Sequence, residues 1–131
     1  MNDSLRNFFD EHLKLVLEKM PPRVHELIDH VPLHVEDYPS VETMAELGVR
    51  RRDALCGLYT GVPLSERSAS EPPMLPDVVT IYREGILSQS TNNRNEVIVE
   101  ELRRQIHITI LHELGHHHGM DEQDLAELGY D

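Results

Sequence analysis

The side chains best suited to chemistry are concentrated in one stretch near the C-terminus. Residues 112–119 read HELGHHHG and contain the pattern H-E-x-x-H. Residues four apart lie on one face of a helix, so the imidazoles of His112 and His116 can meet one metal ion. Glu113 lies one residue further along, about 100° round the helix. We therefore predict a metal site in which Glu113 serves as a general base for water rather than as a ligand.

The element that must position this motif is a long helix, predicted from about Asn95 to His118. Its second half is apolar on nearly all sides, through Ile106, Ile108, Ile110, Leu111 and Leu114. Such a helix is typical of the centre of a fold, so we expect the two histidines and the glutamate to be buried. Gly119 is expected to end the helix in the left-handed conformation and to turn the chain back. The residues after the turn would then supply a third ligand.

Cap and turn residues divide the rest of the chain into short elements. Ser4 is the expected N-cap of a first amphipathic helix, which Pro21 ends, and Pro22 can begin a second helix. Ser40 and Gly48 are expected to cap a third helix between them. The other expected elements are a strand from Leu33 towards Pro39, a strand at Leu58–Thr60, an irregular loop over 62–76, a strand at Val78–Tyr82 and a last helix, Glu122–Leu128, ended by Gly129.

Length and charge exclude several classes of protein. The chain has 131 residues, and we expect 1–131 to form a single domain. Its 24 acidic and 12 basic residues give a net charge of −12, so neither nucleic acid nor a membrane is expected as a partner. Cys56 is the single cysteine, which excludes an internal disulfide and fits a reducing cytoplasm. The first residues lack the apolar region of a signal peptide, and no apolar run reaches about 18 residues.

The segment after the motif argues against two large classes of HExxH protein. Thirteen residues follow His118, so we do not expect a glutamate ligand on a distant following helix. Position 122 is Glu, where a metzincin requires a third histidine. Met120 lies inside the bend, so it cannot form the later methionine turn of that class.

Most of the chain resembles the small bacterial zincin-like metallopeptidases, also called minimal zincins. The most specific match is HELGHHHGMDEQDLAELGY over 112–130. LYTGVPLSER over 58–67, and LPD over 75–77 before VTIY over 79–82, are similar to the central part of that family. The resemblance implies a compact α+β fold with a small mixed sheet beside the active-site helix. It also implies a zinc-dependent peptidase that acts on peptide or protein substrates.

The third ligand is expected ten residues after the first histidine, because the family pattern is H-E-x-x-H-x-x-G-x-x-D. Glu122 occupies that position here, and Asp121 directly precedes it. Spacing favours Glu122, while Asp121 suits the N-cap of the last helix; both remain candidates. Either residue, together with His112 and His116, would give three protein ligands. A water would take the fourth position, as in catalytic zinc sites.

Other interpretations of the same residues stay open. The ligands could hold a structural metal without hydrolysis, or the scaffold could serve as a metal-free interaction protein. An ordinary helix in which a carboxylate pairs with a histidine is a third possibility. Glu113 favours catalysis, because a structural site does not need a base beside it. His117 and His118 are expected on another face, in packing or hydrogen bonding to the ligands.

Overall fold

The computed structural model of the chain describes residues 1–61, 77–120 and 122–127, and of Glu122 only the backbone. Within these ranges the elements are α1 (Asp3–Lys19), α2 (Pro22–Asp29), β1 (Leu33–Glu36), α3 (Val41–Leu47), a 3₁₀ turn (Arg52–Ala54), β2 (Gly57–Thr60), β3 (Val78–Tyr82), α4 (Arg83–Gln89), α5 (Val99–His118) and α6 (Glu122–Glu127). The loop predicted over 62–76 and the helix stop predicted at Gly129 lie outside the described residues.

Helix α5 is the centre of the molecule, as its apolar composition predicts. It packs against α1, α2, α4 and α6, and also against β2 and β3. Five of its side chains are almost completely buried: Leu102, Ile106, Ile110, Leu111 and Leu114. They join Phe9 and Val24 from the N-terminal helices in one hydrophobic core. Burial of this kind stabilises the helix far more than the intrinsic helix propensity of its residues.

The sheet is small and mixed, and it covers one side of α5. Its strand order is β1-β3-β2, with β1 parallel and β2 antiparallel to β3. Val79 and Ile81 of the central strand are fully buried. A mixed three-stranded sheet packed on a central helix, with further helices around it, confirms the α+β class that the resemblance implies.

Local cap signals were predicted correctly at α3 and incorrectly at α1. The Ser40 hydroxyl accepts a hydrogen bond from the Thr43 N–H at 3.1 Å, and Gly48 ends the helix with φ of 68°. At α1, the N-cap is Asn2 rather than Ser4, because the Asn2 side chain accepts from the Leu5 N–H at 2.8 Å. Asn and Ser cap helices about equally well, so the sequence alone did not separate them.

The long helix begins four residues later than predicted. The Asn92 side-chain oxygen accepts hydrogen bonds from the N–H groups of Arg94 and Glu96, and Asn95 has a φ of 61°. An asparagine side chain that satisfies nearby backbone donors competes with helix formation. α5 therefore begins at Val99.

Helix α4 was not predicted. It follows β3 directly and contains Gly85, which normally disfavours a helix. A Cβ on Gly85 would lie 2.0 Å from the carbonyl oxygen of Leu55, so this glycine allows α4 to contact the backbone before β2. Tertiary packing, in which Ile86 is fully buried, therefore makes this segment helical despite its glycine.

No helix within the described ranges is long and apolar enough to cross a membrane.

Candidate metal centre

The last two turns of α5 bring three possible metal ligands together. One ligand atom from each of His112, Glu113 and His116 can be chosen such that all three lie within 4.8 Å of one another. The two imidazole rings meet edge to face, with their centroids 4.4 Å apart. The Glu113 carboxylate contacts both rings: Oε1 is hydrogen bonded to Nδ1 of His112 at 3.3 Å, and Oε2 lies 3.6 Å from Nδ1 of His116.

The three side chains differ in exposure, and this corrects the expectation that all are buried. The Glu113 side chain is only 8% exposed, whereas those of His112 and His116 are 43% and 52% exposed. Glu113 faces the sheet, and both histidines are partly exposed to solvent in the last two turns of the helix. The imidazoles are therefore accessible from outside, and the carboxylate lies behind them.

One oxygen of this buried carboxylate lacks a hydrogen bond. Among the described residues, no donor lies within hydrogen-bonding geometry of Glu113 Oε2, although the atom has almost no contact with solvent. A buried polar group without a partner costs about 1–3 kcal/mol, and more when it is charged. The fold thus tolerates a buried oxygen that lowers its stability. This is common at sites where a ligand or substrate supplies the missing partner.

A glycine on the neighbouring strand makes room for the carboxylate. A Cβ on Gly57 would lie 2.7 Å from Thr109 Cγ2 and 3.0 Å from Glu113 Cγ. Any side chain at position 57 would therefore displace α5 or the Glu113 side chain. The close contact of β2 and α5 at this glycine fixes where Glu113 lies, and the sequence analysis did not identify it.

The end of α5 turns the chain back along the helix, as predicted from Gly119. Gly119 has φ of 66° and ψ of 33°, and the Met120 N–H donates to the Gly115 carbonyl at 2.9 Å. A Cβ on Gly115 would lie 2.7 Å from Leu125 Cδ2, so this glycine lets α6 pack closely against α5. The predicted third ligands stay predictions, because Asp121 and the side chain of Glu122 lie outside the described residues.

His117 and His118 lie on other faces of the helix, in agreement with the prediction. His117 is buried, its Nδ1 is 3.8 Å from Asp77 Oδ2, and its ring contacts that of Tyr59 edge to face. Tyr59 in turn donates a hydrogen bond of 3.0 Å to Asp77. Burial lowers the pKa of His118, with the neighbouring His117 acting in the same direction. Asp77, which the sequence analysis did not single out, thus joins β2, β3 and the last turn of α5.

A cleft of about 370 Å³ opens beside the buried carboxylate. Its walls come from the 3₁₀ turn, the start of β2, the end of α4 and one face of α5. They consist of Ala54, Leu55, Cys56, Gly57, Gln89, Gln105, Ile108, Thr109, His112 and Glu113. Burial raises the pKa of the Cys56 thiol, with a smaller contribution from Glu113, so the cysteine lines the cleft as a neutral group. The cleft therefore lies next to two groups of the candidate centre, His112 and Glu113.

The family comparison agrees with this geometry. A family model described as zincin-like metallopeptidase matches residues 28–130, which include all the strands and the whole of α5. No curated protein matches the chain. The chain belongs to the zincin-like metallopeptidase family.

Proposed function

We propose that this protein is a zinc-dependent peptidase that hydrolyses peptide bonds with an activated water. One observation carries the proposal: a buried carboxylate, with one oxygen that lacks a hydrogen-bond donor among the described residues, lies beside two accessible imidazoles on one helix. Oε1 of Glu113 has a partner, Nδ1 of His112 at 3.3 Å, so the buried Oε2, without a hydrogen bond inside the described ranges, is what distinguishes this carboxylate from an ordinary carboxylate–histidine pair on a helix. Family membership supports the zincin scaffold but leaves the activity to experiment.

The donor set fits zinc. Imidazole and carboxylate are both ligands that Zn²⁺ accepts, and the centre contains no thiolate that would shift the preference to softer metals. In the proposal His112 and His116 hold the ion, and Glu122 or Asp121 provides the third ligand after the Gly119 turn. The exposure of both histidines leaves room for water and substrate on the solvent side.

The roles of the chain's own groups follow from this arrangement. When bound, zinc supplies Lewis acidity, which makes a water more acidic and a peptide carbonyl more electrophilic. Glu113 takes the proton of the attacking water, because its carboxylate lies beside both proposed ligands and lines the cleft. It then gives that proton to the leaving amine nitrogen, so that one carboxylate serves as base and acid in turn.

The proposed partners are peptides or exposed protein segments. A net charge of −12 disfavours nucleic acid, and the single cysteine fits a reducing compartment such as the cytoplasm.

Replacement of Glu113 by glutamine tests the proposal most directly. Glutamine has nearly the same shape but cannot take a proton, so Glu113→Gln should bind zinc at the wild-type ratio. It should cleave a mixture of proteome-derived peptides at least about 100-fold more slowly. Zinc is measured by metal analysis of untagged protein, and cleavage by mass spectrometry.

Glu100→Gln is the matched control, because it makes the same charge change at an exposed position of α5. It should keep wild-type cleavage and zinc. Loss of zinc in Glu113→Gln would make Glu113 a ligand and contradict the assigned role. A wild-type protein that binds zinc but cleaves no peptide would instead favour a metal-binding scaffold without hydrolysis.

A further inference from the structure

A second cavity lies beside the first, between α1 and α5. It has a volume of about 390 Å³, and we call it the α1–α5 groove. Its lining residues are Leu15, Val16, Lys19, Arg103, Arg104, His107 and Ile108. None of them is acidic, although the chain contains 24 Asp and Glu among 131 residues. The groove is therefore a local exception to the negative charge of the protein.

The groove and the cleft at the metal centre share a wall. Ile108 lines both cavities. Arg104, Ile108 and His112 are spaced four residues apart on α5, so they form one stripe along the helix. A ligand that lies along this stripe would contact His112, Ile108 and Arg104 in turn.

The groove combines an apolar floor with a cationic rim. Leu15, Val16 and Ile108 supply apolar surface, and Leu15 is exposed. Arg103 donates to Nδ1 of His12 at 3.1 Å, which holds its guanidinium at the groove. Such a surface suits an apolar side chain next to a carboxylate.

Arg104 lies at the edge of the groove, where it can bind a carboxylate of a ligand in addition to Glu101. It forms an ion pair of 3.2 Å with Glu101, in which both side chains are more than a third exposed. Exposed pairs of this kind are weak in water, so Glu101 does not prevent a second carboxylate from binding. Lys19, at the end of α1, adds a further positive charge.

We propose that the α1–α5 groove binds an acidic segment of the peptide substrate and thereby determines its specificity. The inference rests on the proposed peptidase function. Eight residues of helix separate Arg104 from His112, a distance of about 12 Å along the axis. An extended peptide covers about 3.3 Å per residue, so the acidic side chain lies three or four residues from the cleaved bond. Apolar residues between them contact Ile108.

Binding to the groove is tested separately from catalysis. The probe is a fluorescein-labelled decapeptide with two adjacent glutamates and two adjacent leucines, compared with a peptide in which glutamines replace the glutamates. Fluorescence anisotropy with the cleavage-deficient Glu113→Gln protein should show about tenfold tighter binding of the acidic peptide. The double variant Lys19→Glu/Arg104→Glu in this background should abolish the difference, as should 0.5 M salt.

Arg50→Glu is the matched control, because Arg50 is exposed and lies outside both cavities. It should keep the preference for the acidic peptide. Equal affinity for the two peptides, or a preference that survives the double variant, would overturn the inference.

Cleavage of a proteome-derived peptide mixture distinguishes failure of the inference from failure of the proposed function. Among the peptides that the wild-type protein cleaves, Asp or Glu should be over-represented three or four residues from the cleaved bond. With Arg104→Glu, Lys or Arg should instead be over-represented at that position. Cleavage without any preference for acidic residues would contradict the proposed role of the groove and would support the peptidase function. A binding preference that depends on Lys19 and Arg104, in a protein that cleaves nothing, would support the groove and contradict the peptidase function.

Discussion

Two polar clusters of the molecule use the same kinds of charge in opposite ways. The first, which we call the arginine–aspartate network, ties α1 to the loop after β1 and to the start of α4. It consists of Arg6, Asp10, Asp37 and Arg83. The second is the candidate metal centre at the end of α5, which consists of His112, Glu113 and His116.

In the network, both carboxylates are occupied by guanidinium groups. Asp37 accepts from Arg6 Nε at 3.1 and 3.0 Å, and its two oxygens also bind terminal nitrogens of Arg6 and Arg83. Arg83 reaches both oxygens of Asp10 at 3.0 and 3.1 Å. The Arg6 guanidinium holds the pKa of Asp37 below its usual range. Charges that satisfy one another in this way stabilise the positions of the elements that carry them.

In the candidate metal centre, one buried oxygen has no hydrogen-bond donor within the described part of the chain, and two imidazoles are partly exposed to solvent. Protein groups complete the hydrogen bonds of the first cluster. In the proposed function, a metal ion and its bound water complete the second. Substitutions in one region should therefore leave the other unchanged.

The largest expected effect is loss of zinc when a histidine of the metal centre is removed. His112→Ala should lower zinc affinity by more than about 100-fold, because even groups that only orient zinc ligands account for 10- to 100-fold. Competition with a chromophoric chelator measures this. If His112→Ala binds zinc as tightly as the wild type, the assigned centre is wrong.

The same titration separates the two candidates for the third ligand. Glu122→Ala should weaken zinc binding with little change in the stability of the zinc-free protein. Asp121→Ala should keep zinc and cost about 1 kcal/mol of stability through loss of a helix cap. The opposite pattern would assign the ligand to Asp121.

The next effect is on stability alone. Asp37→Ala leaves Arg6 and Arg83 facing one another, and it should lower the free energy of unfolding by about 2 kcal/mol. Asp3→Ala is the control, since Asp3 also pairs with Arg6 but its side chain is 90% exposed, against 18% for Asp37. The control should cost less than about 0.5 kcal/mol. Urea denaturation measures the free energy of unfolding of both variants. Loss of zinc binding in Asp37→Ala would show that the two clusters are not independent.

The smallest effect is the pH dependence of the network. The pKa of Asp37 is lowered from its ordinary value of 3.8, so folding favours the ionised carboxylate. Its contribution to stability is complete above that value and is lost as the pH falls through the lowered pKa. The stability difference between wild type and Asp37→Asn should therefore be constant near neutral pH and shrink below about pH 4. Denaturation curves between pH 7 and pH 3 with an unchanged difference would contradict this.

The sequence by itself predicted the features that depend on local chemistry. Ser40 and Gly48 determine the ends of α3 through a side-chain acceptor and a residue tolerant of positive φ. Gly119 ends α5 for the same reason, and helical spacing alone places His112 and His116 on one face. Such signals act over four or five residues, so they can be recognised without the rest of the fold.

Tertiary structure decided what depends on contacts distant in sequence. The exposure of the histidines and the burial of Glu113 follow from how α5 lies against β2 at Gly57, which helical periodicity cannot show. Helix α4 forms because Gly85 allows contact with the backbone of Leu55, against its own low propensity. The arginine–aspartate network joins residues up to 73 positions apart. Packing between elements therefore determines which carboxylates pair with arginines and which one is buried beside the two histidines.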